Sequence, residues 1–254
     1  MMRRIVLIVG HGSRDESATQ EFEQLVARYQ SRRPDVDLRH AYLELAQPSL
    51  ADALAELPPE ADEVVLLPLF LFAAGHIKTD IPAALAAARG LRPQTRFVAA
   101  RELGVHALLI DLTLARAGEV CVLDEAQASK TVLIVVGRGS SDADANTEFC
   151  EVARLVGDGR PFAQILPSFI ALAQPRFEET LEMAAHTQPE KVLIVPYLLF
   201  AGRLLAQLQH QVAAFRDRYP SIKTVLAPQL GVDDRLLSVM DERLNEVLRN
   251  PAGE

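Results

Sequence analysis

The chain has 254 residues, of which 49% are hydrophobic and 24% charged, which is typical of a globular protein and excludes a disordered one. Its 26 basic and 34 acidic residues give a net charge of -8. The basic residues are scattered, which argues against binding to nucleic acid or to an acidic membrane surface. Any anionic ligand must therefore be held by local cations.

The apolar runs and the cysteines argue against further classes of protein. No apolar run approaches the roughly 18 residues needed to cross a bilayer. The amino-terminal sequence leads into HGSRD and not into a signal-peptide cleavage site, so we expect a cytoplasmic location. Cys121 and Cys150 lack CxxC spacing, which predicts neither a disulfide framework nor a thiolate metal site.

Short apolar runs alternate with amphipathic stretches of helical length along the chain. The runs predict strands near residues 4–9, 36–43, 63–70, 95–99, 131–136, 163–170, 191–198 and 222–227, with helices between them. Continuous apolar runs such as VVLLPLFLF are typical of strands buried on both faces of a parallel sheet. The alternation of strand and helix predicts a doubly wound α/β fold with right-handed connections.

The same series of motifs occurs twice. VLIVGHGSRD returns as LIVVGRGSSD, LELAQPS as FIALAQPR, and VVLLPLFLFAAGH as VLIVPYLLFAGR. The interval is 127 residues from His11 to Arg138 and also from His76 to Arg203. We therefore predict a tandem duplication, with an N-terminal domain over 1–122 and a degenerate C-terminal domain over 123–254. Each domain is expected to hold a four-stranded, mainly parallel sheet flanked by helices, with the join between residues 118 and 129.

Three polar residues follow successive strands of the first repeat, namely His11, Glu44 and His76. Ligands bind at the carboxyl ends of strands in such sheets, so these residues are expected at one edge. The matched positions of the second repeat hold other residues: Arg138, Ala171 and Arg203. Because the surrounding glycines are kept in both repeats, the joint replacement indicates that the three residues serve chemistry and not the fold.

Two imidazoles and one carboxylate suit a borderline divalent cation such as Fe²⁺, Co²⁺, Ni²⁺ or Zn²⁺. Two histidines are too few for a permanent zinc site, which favours a metal that is picked up and passed on. Glu44 is suited to accept protons beside such a metal.

These residues resemble the sirohydrochlorin chelatases, a branch of the class II chelatases. The likeness rests on VGHGSRD, on a carboxylate after the second strand and on PLFLFAAGH after the third, and it covers nearly the whole chain in a two-repeat form. It implies ATP-independent insertion of Co²⁺ or Fe²⁺ into sirohydrochlorin, on the way to cobalamin or sirohaem. It also implies that His11 and His76 handle the metal, that Glu44 is their acidic partner, and that no cofactor is permanently bound.

Sirohydrochlorin carries eight carboxylates, so the resemblance implies cationic substrate-binding residues. The candidates for substrate contact are Ser13, Arg14, Lys78, Arg101, Arg138 and Arg203. Ser13 also suits a turn before a helix that begins near Asp15. In a duplicated chain the two repeats supply a pseudo-dimer, so we expect a monomer, with Arg138 and Arg203 facing the histidines across a cleft and clamping the substrate.

Two other functions remain open at this point. A non-catalytic tetrapyrrole or metal carrier would use the same residues without turnover. A histidine phosphatase also places a His-Gly pair after its first strand, but its motif needs an arginine immediately before the histidine, and that position here is Gly10.

Overall fold

The computed structural model describes residues 2–122 and 124–249, and of His76 it describes the backbone alone. The strands in this part of the chain are β1 (Arg4–Gly10), β2 (Asp37–Tyr42), β3 (Glu63–Pro68), β4 (Arg96–Ala99), β5 (Thr131–Gly137), β6 (Gln164–Phe169), β7 (Lys191–Pro196) and β8 (Lys223–Leu226). The helices are α1 (Glu16–Arg32), α2 (Leu50–Ala55), α3 (Gly75–Leu91), α4 (Ala107–Val120), α5 (Glu125–Ala128), α6 (Ala143–Gly157), α7 (Phe177–His186), α8 (Arg203–Arg218) and α9 (Asp234–Arg249). None of these helices has the length and apolar character needed to cross a membrane.

The strands form two parallel four-stranded sheets with the same order, β2-β1-β3-β4 and β6-β5-β7-β8. This confirms the predicted fold class, and each predicted strand is found to within two residues at either end. Residues 5–9 of β1 and 132–136 of β5 are almost completely buried. Continuous burial follows because helices cover both faces of a doubly wound sheet.

The chain folds into two compact units whose boundaries differ from those of the two sequence repeats. One unit runs to His106 and resumes at Asp234, and the other spans Ala107–Asp233. Helix α4 of the first repeat therefore belongs to the second unit, where it packs against α6 and β7, and α9 of the second repeat packs against β3 in the first unit. The division at residues 122 and 123 stays a prediction about the repeats, and it falls at Leu123, outside the described residues.

Matched arginines tie each exchanged helix to its unit. Arg243 on α9 is 2% exposed, and its guanidinium donates to the carbonyl oxygens of Glu102 at 2.9 Å and Leu103 at 2.5 Å. In the second unit, Arg116 on α4 donates to the carbonyl oxygen of Leu230 at 2.6 and 3.0 Å. Burial lowers the pKa of Arg243. Because Arg116 and Arg243 occupy matched positions of the two repeats, the exchange of helices is reciprocal.

We predict that Arg243→Met destabilises the fold by about 2–4 kcal/mol. Methionine keeps much of the apolar stem but leaves the Glu102 and Leu103 carbonyls without their donor, and each buried unsatisfied group costs about 1–3 kcal/mol. Urea denaturation measures the change. The control is Arg249→Met at the exposed end of the same helix, for which we expect a change below about 0.5 kcal/mol. Equal stability of the two variants would contradict a role for Arg243 in holding α9.

Candidate active site

His11 and Glu44 lie side by side just beyond the carboxyl ends of β1 and β2. The two strands pair up to Gly10 and Tyr42, and the pairing continues past them. The amide of Leu43 donates to the Gly10 carbonyl, and that of Glu44 donates to the His11 carbonyl, each at 3.0 Å. Glu44 Oε1 consequently lies 3.3 Å from His11 Nδ1, with the two side chains 45% and 27% exposed. Part of each side chain is thus accessible to a ligand, although the Nδ1 atom of His11 is itself buried.

The glycines on either side of His11 allow this close approach. A Cβ on Gly10 would lie 2.7 Å from the ring of Phe22, because α1 packs directly against the end of β1. Gly12 has a φ of +93°, and a Cβ there would lie 1.7 Å from the carbonyl oxygen of Glu44. The Gly-His-Gly sequence is therefore a packing requirement, since it lets a helix and a neighbouring loop close on the histidine.

The matched loops of the second unit keep the scaffold and lack the polar pair. A Cβ on Gly137 would lie 2.8 Å from Phe149, and Gly139 has a φ of +83°. Exposed Arg138 and partly buried Ala171 replace the histidine and the glutamate, while the amide of Ala171 still donates to the Arg138 carbonyl at 3.0 Å. The positive φ of the second glycine and the hydrogen bond just beyond the strand ends are thus properties of the sheet, because both units share them.

His76 is the second residue of α3, the helix that follows β3. Its side chain lies outside the described part of the structure, so its place beside His11 remains a prediction. The matched Arg203 is the exposed first residue of α8. Among the described side chains, which do not include that of His76, no three or more His, Cys, Asp or Glu are grouped as they would be to hold a metal ion.

Ser13 and Asp15 form the turn that leads from β1 into α1. The Ser13 hydroxyl accepts a hydrogen bond from the Asp15 amide at 3.0 Å, and Ser140 accepts the same bond from Asp142 in the second unit. The helix begins at Glu16, close to the predicted start, and its cap is Asp15, whose carboxyl pKa is lowered by hydrogen bonds from Ser17. Since both units share the turn, this contact of Ser13 serves the fold, and a contact with substrate stays a prediction.

The predicted cations of the first unit differ in their surroundings. Arg14 and Lys78 are exposed, the former just after the site loop and the latter in the first turn of α3. Arg101 forms two hydrogen bonds to the carboxylate of Glu246 on α9, at 2.8 and 3.0 Å. Arg101 thus helps to hold α9 in place, and substrate contact by Arg14 and Lys78 stays a prediction.

Three neighbours of the His11–Glu44 pair were not predicted. The ring of Phe70 lies 6.3 Å from the His11 ring between centroids, but the sequence placed Phe70 within a strand. Tyr42 is buried at the end of β2, and burial raises its pKa to about 12. Leu45 has a φ of 63°. Nothing in the sequence indicates this conformation, because the second repeat has a leucine at the same position.

The fold and site define a class of protein, a duplicated parallel α/β protein with a histidine–carboxylate pair at the edge of its first sheet. A sequence model of the CbiX family matches residues 5–120 and again residues 132–247. The chain therefore belongs to the CbiX family, and both repeats are family repeats.

Relatives with assigned names and solved structures match this chain over almost its whole length. The chain is 32% identical to the sirohydrochlorin cobaltochelatase of Priestia megaterium, over 96% of this chain and 79% of that protein. It is 28% identical to the sirohydrochlorin ferrochelatase of the same organism, over 98% and 92%. The crystal structure of the sirohydrochlorin chelatase SirB from Bacillus subtilis subspecies spizizenii in complex with cobalt has a TM-score of 0.83 and 25% identity, over 100% and 98%.

We predict that Gly12→Ala lowers the free energy of unfolding by more than about 1 kcal/mol. Alanine is strained at a positive φ, and its Cβ would overlap the Glu44 carbonyl. Gly118 on α4 is the matched control, since a Cβ there meets nothing within 4 Å. Gly118→Ala should leave stability unchanged or raise it by up to about 1 kcal/mol, because alanine favours a helix. Urea denaturation measures both changes, and a Gly12→Ala variant as stable as the wild type would show that the loop accommodates the methyl group.

Proposed function

We propose that the chain inserts Co²⁺ or Fe²⁺ into sirohydrochlorin without ATP, in the biosynthesis of cobalamin or sirohaem. The observation that carries the proposal is the 32% identity, over 96% of the chain, to a protein named sirohydrochlorin cobaltochelatase. The His11–Glu44 pair at the edge of the first sheet supplies a place for the chemistry. The metal is a substrate in this reaction, so no bound cofactor is required. The cytoplasmic location and the monomeric state predicted from the sequence belong to the same proposal.

His11 and His76 are assigned to the metal. Insertion begins when a hydrated cation loses water, and a neutral imidazole replaces water while binding weakly enough to release the ion again. His11 suits this transient role because its side chain is 27% exposed at the edge of the sheet. Two histidines are too few to hold a metal permanently. This is an advantage here, because the nitrogen atoms of the macrocycle must take over the coordination of the metal.

Glu44 is assigned to the protons. Each divalent cation that enters the macrocycle displaces two protons from pyrrole nitrogens, and the charge of the arriving metal makes these protons more acidic. The Glu44 carboxylate lies next to the metal-handling His11, and at 45% exposure it can pass an accepted proton to water. Glu44 can thus accept the two protons one after the other.

Substrate binding is assigned to local cations, because a protein of net charge -8 does not attract an anionic tetrapyrrole as a whole. Arg14 and Lys78 of the first unit and Arg138 and Arg203 of the second are exposed. A guanidinium group holds a carboxylate through two parallel hydrogen bonds, but at neutral pH it is neither a base nor a metal ligand. The arginines of the second repeat therefore suit a substrate clamp, and Ser13 remains a further candidate for contact.

Multiple-turnover insertion tests the function. With sirohydrochlorin and Co²⁺ in excess, the wild-type chain should form many equivalents of metallated product, whereas a carrier would stop at one. We predict that His11→Ala and His76→Ala each lower the rate by orders of magnitude without changing the unfolding curve. His210→Ala, at an exposed position on α8, is the control and should keep the wild-type rate. Normal turnover by the double variant of His11 and His76 would remove both residues from the site.

We predict that Glu44→Gln lowers the insertion rate by roughly 100-fold, the usual effect of losing a general base. Glutamine keeps the shape of the side chain but cannot accept the proton. Binding of Co²⁺, measured by titration in the absence of the tetrapyrrole, should change much less. Glu56→Gln, at an exposed carboxylate that ends α2, serves as the control. An unchanged rate and pH profile for Glu44→Gln would show that the protons leave by another route.

We predict that replacing both Arg138 and Arg203 by alanine raises KM for sirohydrochlorin more than it lowers kcat. Such a change is expected when an interaction common to ground state and transition state is lost. KM for the metal, measured on the same variant, should stay the same and serves as the internal control. If KM for sirohydrochlorin does not rise, these arginines do not clamp the substrate.

A further inference from the structure

Leu45, the residue that follows Glu44, has a backbone conformation that is unusual for its type. Within the described chain, positive φ at non-glycine residues is confined to Leu45, at 63°, and Gln188, at 50°. Gln188 follows the end of α7, where a left-handed residue commonly terminates a helix. Leu45 ends no helix and lies in the loop between β2 and α2, so its conformation needs another explanation.

Hydrogen bonds on both sides of Glu44 hold this conformation. The Ala46 amide donates to the Glu44 carbonyl at 2.8 Å, which closes a γ-turn centred on Leu45. A γ-turn with a positive central φ is rare and strained. The Glu44 amide is held in turn by the His11 carbonyl. Because the peptide groups before and after Glu44 are both held, the direction of its Cα–Cβ bond is set by the backbone, and from there its Oε1 lies 3.3 Å from His11 Nδ1.

The matched loop of the second unit adopts another conformation with nearly the same sequence. ELAQP in the first repeat corresponds to ALAQP in the second, and only the first residue differs. Leu172 does not have a positive φ, and the described backbone shows no bond from the Ala173 amide to the Ala171 carbonyl. Both leucines are exposed, at 49% for Leu45 and 59% for Leu172, so burial does not account for the difference.

The peptide group that follows Glu44 is also oriented differently towards Gly12 than the matched peptide group of the second unit is towards Gly139. The missing Cβ of Gly12 would meet the Glu44 carbonyl oxygen at 1.7 Å. The missing Cβ of Gly139 would instead meet the backbone nitrogen of Ala173 at 2.8 Å and that of Leu172 at 3.3 Å. The strained arrangement therefore occurs only in the unit that carries the carboxylate, and strain of this kind is typical of functional sites.

We propose that Leu45 is a positioning residue, whose left-handed backbone holds the Glu44 carboxylate beside His11 for proton acceptance during metal insertion. This role rests on the proposed chelatase function, because it acts through Glu44. The side chain of Leu45 is not required, since the effect comes from its φ. Glycine is consequently the residue that replaces it best, and a β-branched residue, which disfavours positive φ, replaces it worst.

The first experiment compares stability and needs no enzyme activity. Leu45→Gly removes the cost of a positive φ and should raise the midpoint of urea denaturation, whereas Leu172→Gly relieves no strain and should lower it or leave it unchanged. A Leu45→Gly midpoint no higher than that of Leu172→Gly would overturn the proposal. A crystal structure of Leu45→Val should no longer place Glu44 Oε1 beside His11 Nδ1, and an unchanged pair would equally overturn it.

The second experiment tests whether Leu45 acts through Glu44. Leu45→Val should lower kcat by about tenfold or more, as expected when a reacting group is displaced by about 1 Å, with a much smaller change in KM for the tetrapyrrole. In the Glu44→Gln background the same substitution should change kcat by less than about twofold, because coupled residues are not additive. Leu172→Val is the matched control in both backgrounds. Leu45→Gly, unlike Leu45→Val, should have a kcat close to that of the wild type.

An equal loss of kcat from Leu45→Val in both backgrounds, or no loss in either, would overturn the positioning role. Failure of the proposed function gives a different result, namely no turnover by the wild-type chain. The stability comparison and the crystal structure of Leu45→Val still decide the conformational claim in that case.

Discussion

Two backbone hydrogen bonds, from Leu43 to Gly10 and from Glu44 to His11, extend the pairing of β1 and β2 beyond the ends of both strands. They hold together two loops that would otherwise diverge, and the glycine after His11 leaves room for the carbonyl that approaches it. The imidazole and the carboxylate therefore meet before any ligand is bound. Side chains held by backbone hydrogen bonds in this way need little reorganisation when a ligand arrives.

Exchange of the last helices makes each compact unit depend on both repeats. The first sheet is covered in part by α9, so its unit is completed only when the carboxyl-terminal part of the chain has been synthesised. The buried guanidinium of Arg243 is a strong reason for α9 to bind there, because the carbonyls of Glu102 and Leu103 would otherwise lack a donor. A duplicated chain can thus be cooperative as a whole even though its repeats look independent in sequence.

The duplication also provides a comparison within a single molecule. Ser13 and Ser140 accept the same hydrogen bond in the two units, which identifies that contact as part of the scaffold. Leu45 and Leu172 share their residue type and their exposure but differ in backbone conformation. Identity between the repeats therefore indicates a shared fold, and a difference between them, whether in side chain or in backbone, marks the positions where the first unit is suited to chemistry.

The sequence by itself determined the strands, the parallel α/β class and the duplication, because apolar periodicity and repeated motifs can be recognised without the fold, and it placed His11 and Glu44 after neighbouring strands without showing that their side chains meet. The tertiary structure alone decided the exchange of α4 and α9 and the conformation of Leu45. Matched helices carry similar apolar faces, so their pattern fits either sheet, and Arg243 looks like an ordinary surface residue on a helix until the carbonyls of another segment surround it. Long-range packing makes these choices, and local sequence contains no record of it.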